Sequence, residues 1–467
     1  MYLVVKIRNR RYLISSIICL LAVTMLTFGF AKNQWRVADS EWFEIHQLDT
    51  ESLVVGRLAK SQQDGILSSG GLTGHGHKYE DHDNVVISQY LIYMNNLPVY
   101  EFSTYQSQIG FQAIFFSLLD RLTNFSNYQN LIAFKILTSL LAAIALTMIV
   151  LWFIDQFGFF VGIIVLISTL LSQWLVVFGR NLWWVIWAFY IPMLVSIGIL
   201  LYESKTGRHS NKVSAVLLLT AVFIKCLFNG YEYITTILIM MITPYIYYGI
   251  YNKWTVWKFA KRILVASIGG IAGTLVSMII LVFQISVIRG ELIYGLQHIV
   301  YSFGKRAYGN PDQYPAVYKA SLEANTFSVV MIYLKGVWFD LNNFLTVSSP
   351  ILSRFGLKLS FAHLIVLYFL ITILGVFLLY KYAENNDDHR NKLQGLIGVT
   401  WFSILAPLSW FIIFKGHSYI HTNMNYITWH MPFTLFGFAL VVFVIKLLVQ
   451  TGAAGSTRLK KWLATSP

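Results

Sequence analysis

Apolar residues along this 467-residue chain gather in long segments that are separated by short polar turns. A helix needs about 20 consecutive apolar residues to cross a bilayer. Ten segments approach this length, and each is predicted to be a transmembrane helix. They cover residues 13–31, 131–153, 158–178, 183–202, 213–229, 233–251, 263–286, 360–381, 394–414 and 428–449. The pattern therefore predicts an all-α integral membrane protein with about ten transmembrane helices.

Two long stretches, residues 32–130 and 287–359, contain no segment of this kind. Within them, IGFQAIFFSLLDRL (109–122) places apolar residues at helical spacing, and IYLKGVWFDLNNFL (332–345) has a similar pattern. Both are too short to cross the bilayer, so we predict two helices that lie along its surface. The chain accordingly divides into a first transmembrane helix (1–31), loop one (32–130), a central transmembrane bundle (131–286), loop two (287–359) and a C-terminal bundle with a basic tail (360–467).

Positive charge marks one side of this arrangement. The two termini and the alternate short loops hold 18 of the 35 Lys and Arg residues but only five of the 21 acids. Cytoplasmic loops carry such an excess of Lys and Arg. Both termini are therefore predicted inside, in an N-in/C-in topology, and the two large loops outside. Because the net charge of +14 sits in loops that flank the membrane, it argues for a lipid bilayer and against nucleic acid as the partner.

The composition agrees with a membrane protein. The chain is 56% hydrophobic and 12% charged, whereas a soluble domain carries about 25% charged residues. Cys19 and Cys226 both fall in apolar segments, which gives no indication of a disulfide framework or a cysteine metal site. Since the inner loops are short, any chemistry is expected in the outer loops.

Loop one opens with an unusual concentration of acids. The stretch WRVADSEWFEIHQLDTE (35–51) contains Asp39, Glu41, Glu44, Asp49 and Glu51, five of only 21 acidic residues in the chain. The aromatic residues between them favour partial burial at the headgroup level, where the pKa of a carboxyl group rises toward values useful to a general base. A solvated acidic start of a surface helix is an equally good interpretation, so both remain open.

The layout of the chain resembles the GT-C class of membrane glycosyltransferases. The shared features are a first helix, a long outer loop that opens with the acidic element D-S-E, and a second large outer loop after several more helices. The phrases GRNLWW, NGYEYIT and KGHSYIHTNMNY also resemble those of uncharacterised bacterial envelope proteins with this layout. The resemblance implies Asp39 as the catalytic base or acceptor-orienting residue, with Glu41 second. It further implies a polyprenyl-phosphate sugar as the donor and a glycan, lipid or protein as the acceptor.

Transfer from a lipid phosphate also needs cations that hold the leaving phosphate. Candidates stand at three predicted outer helix ends: Arg180, then Lys225 followed by Tyr231 and Glu232, and finally Lys415, His417, His421 and Asn425. Each group has a structural alternative. Arg180 would suit the headgroup region, and Lys225 would pair with Glu232. His417 and His421, four residues apart, share a helix face as half of a metal site would, or simply pack at the interface.

A second histidine cluster lies in GHGHKYEDHD (74–83). His75, His77, His82 and Asp83 are candidate ligands for a divalent cation such as zinc or manganese. A glycine-rich polar loop without a metal explains the same composition. A divalent metal is therefore a possible cofactor, and no other cofactor is indicated.

The sequence leaves several functions open. The first is a GT-C-like glycosyltransferase of the bacterial inner membrane with its active site facing the periplasm or cell exterior. The alternatives are an O-antigen-type polymerase or ligase, a transporter or flippase of lipid-linked envelope precursors, and a non-catalytic scaffold. The early carboxylates favour the first. That hypothesis predicts one pocket at the outer membrane boundary that Asp39 shares with Arg180, Lys225 and His421.

Overall fold

A computed structural model of the protein describes residues 2–78, 84–341, 343, 358–381 and 387–465. Across these residues the chain is nearly all α-helical, with two short antiparallel strand pairs. The structure confirms the predicted all-α fold class.

The helices and strands follow one another in an order that alternates long apolar helices with short ones. The helices are α1 (Tyr2–Lys32), α2 (Ser40–Ile45), α3 (Leu48–Asp64), α4 (Val85–Met94), α5 (Phe111–Leu122), α6 (Asn127–Phe157), α7 (Phe159–Leu170), α8 (Gln173–Gly179), α9 (Trp187–Thr206), α10 (Asn211–Asn229), α11 (Ile234–Tyr251), α12 (Val256–Arg289), α13 (Leu292–Arg306), α14 (Lys319–Glu323), α15 (Thr326–Lys335), α16 (Phe361–Lys381), α17 (Asp387–Ser403), α18 (Leu405–Ile413), α19 (Lys415–Ile420), α20 (Thr422–Asn425) and α21 (Phe433–Thr465). The strands are β1 (Gly74–Gly76), β2 (Phe102–Thr104), β3 (Val337–Asp340) and β4 (Lys358–Ser360). β1 pairs with β2, and β3 pairs with β4.

Every apolar segment predicted from the sequence overlaps one or two of these helices. Within the described residues, eight helices are long and apolar enough to cross a membrane: α6, α9, α10, α11, α12, α16, the continuous pair α17–α18, and α21. The described apolar part of α1, Ser16–Lys32, is shorter. These helices identify the chain as a membrane-embedded helical protein.

The segment predicted as one helix over 158–178 is two helices. α7 and α8 meet at an angle of 67°. The hydroxyl of Ser172 caps the start of α8 by accepting a hydrogen bond from the Leu175 N–H. The same hydroxyl lies 2.9 Å from Nε2 of His430. A polar side chain that replaces the regular backbone hydrogen bonds explains the break, because it satisfies the helix terminus inside an apolar bundle.

Loop one folds into a compact cap on the ends of the membrane helices. α3 packs against α4, α5 and the strand β1. The surface helix predicted over 109–122 corresponds to α5, which follows Gly110 in the left-handed region and buries Ala113 and Phe116. The buried Glu51 of α3 lies 2.8 Å from Nζ of Lys135 on α6, so an ion pair joins this cap to the bundle.

Loop two corrects one sequence prediction. A helix expected over 332–345 ends at Lys335, and residues Val337–Asp340 form a strand instead. Gly336 packs so closely on the ring of Tyr426 that any larger residue would collide with it. The chain therefore turns at Gly336 and pairs with Lys358–Ser360. The helical pattern of the sequence could not reveal the contact of Gly336 with Tyr426, because these residues are ninety positions apart.

Candidate functional site

A polar cavity of about 450 Å³ lies between the two loops, within the range of about 300–1,000 Å³ that is usual for ligand pockets. Loop one, the turn after α10, loop two and the segment after α18 all contribute to its wall. Its ionisable and aromatic lining residues are Asp49, His75, Tyr105, Trp183, Trp184, Glu232, Lys305, Arg306, Tyr318, His417 and His421. Carboxylates, cations and aromatic rings thus face one space.

Asp49 enters the cavity from the first turn of α3. Two residues earlier, Gln47 has a left-handed backbone (φ 58°). The turn at Gln47 changes the direction of the chain after α2. The Gln47 carbonyl oxygen accepts a hydrogen bond from Nδ2 of Asn181, and its side-chain oxygen accepts one from the Trp184 indole N–H. Asp49 itself is exposed, and its carboxylate makes no hydrogen bond or ion pair with another described residue. The charge of Asp49 acts on His75 and His421, which line the same cavity.

Glu232 faces the cavity from the tight turn between α10 and α11. The turn is held from within, because the ammonium group of Lys225 donates hydrogen bonds to the carbonyl oxygens of Gly230 (2.9 Å) and Glu232 (2.6 Å). The Glu232 carboxylate lies 3.4 Å from Nη2 of Arg306 and 3.6 Å from Nε2 of His417. Its Oε2 atom is buried without a hydrogen bond. Such an atom is costly to leave unsatisfied and is available to a ligand.

The cations come from the last turn of α13. Lys305 and Arg306 both line the cavity, and Nζ of Lys305 lies 4.8 Å from the centre of the Tyr318 ring. The carbonyl oxygens of both residues pack on Gly416, where a Cβ would lie 3.1 Å from each. Gly416 thus allows the end of α13 to rest directly on α19. Two adjacent cations beside two carboxylates make the cavity suited to a ligand that carries both a phosphate and a hydroxyl.

His417 and His421 stand next to each other on the same wall, with ring centres 4.7 Å apart. Burial lowers the pKa of His417 well below its usual value, so its imidazole is neutral at neutral pH. Water reaches His421 through the cavity, yet the enclosing walls lower its pKa as well. Asn425 fixes this segment by donating to the His421 carbonyl oxygen. Both imidazoles can therefore act as neutral hydrogen-bond donors to a ligand.

His75 reaches the cavity from strand β1. Its Nε2 lies 2.7 Å from the hydroxyl of the buried Ser52, and burial lowers its pKa. The strand pair brings it there, because Gly74 lies so close to the Ser103 carbonyl oxygen that only glycine fits. His77 instead packs beside Tyr100. Among the described residues no group of three His, Cys, Asp or Glu side chains is placed to hold a metal ion. His82 and Asp83 lie outside the described residues.

A second, apolar cavity of about 450 Å³ adjoins the first. It lies between α11, α12, α13 and α18, and Arg306 lines both cavities. Its apolar lining includes Ile234, Leu238, Ile271, Leu275, Met278, Leu281, Ile299, Phe303, Trp410, Ile413 and Phe414. Tyr231, predicted to contact substrate, belongs to this cavity, and its hydroxyl is buried without a hydrogen bond. The polar and the apolar cavity therefore meet at Arg306.

The remaining predicted site residues line neither cavity. Asp39 is an exposed helix cap whose carboxylate accepts a hydrogen bond from the Trp42 N–H, and Glu41 is exposed. Arg180 pairs with Glu44 at 2.8 Å and stacks on Phe43. The single pocket expected around Asp39, Arg180, Lys225 and His421 therefore contains only His421.

Two other predicted residues support the walls of the polar cavity. Lys415 donates to the carbonyl oxygens of Leu322 and Ala324 and so joins α19 to loop two. Asn425 lies buried among Trp410, Tyr333 and the backbone of His421. Lys225 has the comparable role in the turn that presents Glu232.

Sequence reasoning missed Asp49, Lys305 and Arg306. Asp49 belongs to the acidic stretch at the start of loop one, in which Asp39 and Glu41 were predicted to be the catalytic residues. Lys305 and Arg306 end an amphipathic segment, LIYGLQHIVYSFGKR (292–306), and a cationic pair at the end of such a helix was a detectable signal.

No family model, no curated protein and no solved structure matches the chain.

Proposed function

We propose that this protein is a GT-C-like glycosyltransferase that moves a sugar from a polyprenyl-phosphate donor to an envelope acceptor. The observation that carries the proposal is the junction of the two cavities at Arg306. A lipid-linked sugar has an apolar tail, a phosphate and a polar sugar in that order. An apolar cavity, a pair of cations and a polar cavity with aromatic walls follow one another in the same order.

The polar cavity holds the groups that glycosyl transfer needs. In the proposed step the acceptor hydroxyl oxygen forms a bond to the anomeric carbon while the bond from that carbon to the phosphate oxygen breaks. The Asp49 carboxylate takes the hydroxyl proton as general base. The bonding electron pair stays on the phosphate oxygen, where Lys305 and Arg306 stabilise the negative charge. The reaction is thereby balanced without any further reactant.

Asp49 is a better base than Glu232 for a geometric reason. The Glu232 carboxylate lies between Arg306 and His417, so it already contributes to holding the cationic side of the cavity. Among the described residues no arginine or lysine forms an ion pair with the Asp49 carboxylate, whose charge instead acts on His75 and His421. We assign Glu232 to the orientation of Arg306 and of the sugar, and His417 and His421 to hydrogen bonds with the phosphate or the sugar.

The proposed location is the outer face of a bacterial inner membrane, with both termini inside. This topology counts α1 and the bent α7–α8 pair as crossings, which gives ten. The start of α11 and the C-terminal half of α12 line the apolar cavity, and the turn between α10 and α11 lines the polar one, whereas the basic loops belong to the opposite helix ends. A reporter fused after residue 60 should therefore report from outside the cytoplasm, and a cytoplasmic signal would contradict the topology.

The function is tested in cells whose only copy of the gene encodes wild-type protein, Lys305→Ala, Arg306→Ala or the control Arg180→Ala. Surface glycan and lipid-linked sugars are measured at equal protein levels. Loss of one charge-stabilising group costs about 10²–10³-fold in rate. Both cavity variants should therefore lose glycan and accumulate the donor on its carrier at the outer face, whereas Arg180→Ala should not.

The same experiment separates the alternative functions. A flippase would leave the lipid-linked sugar at the cytoplasmic face, inaccessible to an externally added glycosidase. An O-antigen-type polymerase or ligase would leave finished repeat units on the carrier lipid. Wild-type glycan in both cavity variants would contradict an enzymatic role for this cavity.

A further inference from the structure

The helix α13 packs along α12 on one side and is otherwise little buried. Of its fifteen residues, only Gly295 and Ser302 are buried. Gly295 packs on the backbone of α12, where a Cβ would lie 2.5 Å from the Val282 carbonyl oxygen. Elsewhere α13 exposes the apolar side chains of Ile293, Leu296, Val300 and Phe303, which repeat at helical spacing. Contacts with α12, and with α19 at the C-terminal end, therefore hold α13 on one side, while its other side is exposed.

Cavities lie on both sides of α13. His298 and Phe303 line the apolar cavity beneath the helix, while Tyr294 and Tyr301 line a separate surface cavity of about 550 Å³. A further surface cavity of about 460 Å³ includes Leu296. Because α13 packs on one side only and has cavities beside it, it has fewer contacts to break when it shifts than a fully buried helix has.

Gly290 lies in the short connection between α12 and α13. α12 ends at Arg289, and Gly290 follows with a left-handed backbone (φ 90°) and no heavy atom within 4 Å of a Cβ built there. The C-terminal end, by contrast, rests on Gly416 and carries Lys305 and Arg306 into the polar cavity. Because Lys305 and Arg306 belong to the last turn of α13, a shift of this turn changes the position of both cations in the polar cavity.

We propose that α13 is a lid over the apolar cavity and that a lipid tail bound beneath it places Lys305 and Arg306 for the phosphate. This inference rests on the proposed function only in that the substrate carries an apolar tail and a phosphate. The tail contributes packing that α13 lacks when the cavity is empty. Tail binding and phosphate binding are thereby coupled, and each strengthens the other by the same factor. A donor with a short tail binds the cations poorly even though its phosphate is unchanged.

The coupling is measured with separate probes on purified full-length protein in detergent. The affinity for inorganic phosphate is determined by calorimetry with and without geranylgeraniol, an isoprenoid alcohol that has the tail and lacks the phosphate. Coupled sites typically differ in affinity by about 5- to 150-fold, and we expect an increase in that range. Met278→Trp, which fills the apolar cavity from α12, should abolish the effect of geranylgeraniol. The control Ile279→Trp, on the exposed face of the same helix, should leave it intact.

Movement of the lid is followed by a spin label on Leu296→Cys in a Cys19→Ser background, in which the remaining Cys226 is buried. Geranylgeraniol should reduce the mobility of this label and leave unchanged a control label on Ile279→Cys, which is similarly exposed.

The outcomes distinguish the two proposals. If geranylgeranyl phosphate binds but the affinity for inorganic phosphate is equal with and without geranylgeraniol, the lid is wrong and the proposed function stands. If geranylgeranyl phosphate fails to bind at all, the proposed function is contradicted. If phospholipid of the detergent micelle gives the same increase as geranylgeraniol, the cavity takes membrane lipid rather than the donor tail, which also overturns the inference.

Discussion

The two halves of the acidic stretch at the start of loop one lie in different environments. Asp39, Glu41 and Glu44, in the first half, stay at the surface as a helix cap, a solvated side chain and a partner of Arg180. In the second half, Asp49 faces the polar cavity, and Glu51 is buried in contact with Lys135. All five residues carry a carboxylate, and they lie within thirteen positions of the chain. What separates them is the left-handed turn at Gln47, which ends one helix and starts another in a new direction.

As these two halves show, acids that are close together in a sequence need not lie close together in space. The turn places the second half against the bundle, where the Trp184 indole and the Asn181 amide hold it. The first half remains on the outer side of the same turn. Only the second half is expected to affect activity or strongly affect stability, and the following predictions test that contrast.

The largest effect is expected for Asp49→Asn. The substitution keeps the size of the side chain but removes the proton acceptor, and general-base catalysis typically contributes about 10²–10⁴-fold. Transfer measured in membranes with a radiolabelled lipid-linked sugar should fall by that factor. The matched control Asp39→Asn should retain full activity, because asparagine caps a helix as well as aspartate does. Equal losses in both variants would remove the distinction between the two halves.

Glu51→Gln should be the most destabilising change in the stretch. The Glu51 carboxylate accepts hydrogen bonds from the Tyr90 hydroxyl (2.8 Å) and the Leu182 N–H (3.1 Å) and pairs with Lys135. Removing one partner of a buried ion pair costs about 3–5 kcal/mol. The thermal unfolding midpoint of the detergent-solubilised protein should drop accordingly. Glu44→Gln, which breaks an exposed pair, should cost at most about 1 kcal/mol.

The same carboxylate predicts a pH dependence of stability. Burial acts to raise the pKa of Glu51, but the charge of Lys135 and the hydrogen bonds outweigh it, so the pKa lies below the ordinary value of 4.5. A carboxyl group with a lowered folded-state pKa stabilises the protein above its unfolded-state pKa and loses that contribution as the pH falls. The unfolding midpoint should therefore decrease on acidification below about pH 5. Glu51→Gln should have a weaker dependence, and an identical acid profile would contradict this assignment.

The smallest effect is expected at the helix cap. Asp39→Ala removes the acceptor for the Trp42 N–H, and loss of a cap costs about 0.5–2 kcal/mol. Because α2 is short and exposed, we expect the lower end of that range in the unfolding free energy, with no change in transfer rate. A large loss of transfer in this variant would mean that the first half of the stretch also contacts substrate.

Part of the candidate site was accessible from the sequence. Glu232, His417 and His421 stood beside outer helix ends, where polar residues in an apolar chain are rare enough to be noticed. Lys225 and Lys415 were equally noticeable, but their ammonium groups donate to backbone carbonyl oxygens in turns. A cation at a helix end looks the same in sequence whether it binds a ligand or closes a turn. Arg306 was missed because no helix was predicted over residues 292–306.

The helical membrane class and the positions of the apolar segments follow from the sequence alone. These follow from local composition, since a bilayer selects about 20 apolar residues in any run that crosses it. Three features appear only in the folded chain: the acid that faces the cavity, the bend of the 158–178 segment at Ser172, and the place of Arg306 between the polar and the apolar cavity. Each of these depends on contacts between residues far apart in the chain, such as Gly416 with Arg306, and hydrophobic periodicity carries no record of such contacts.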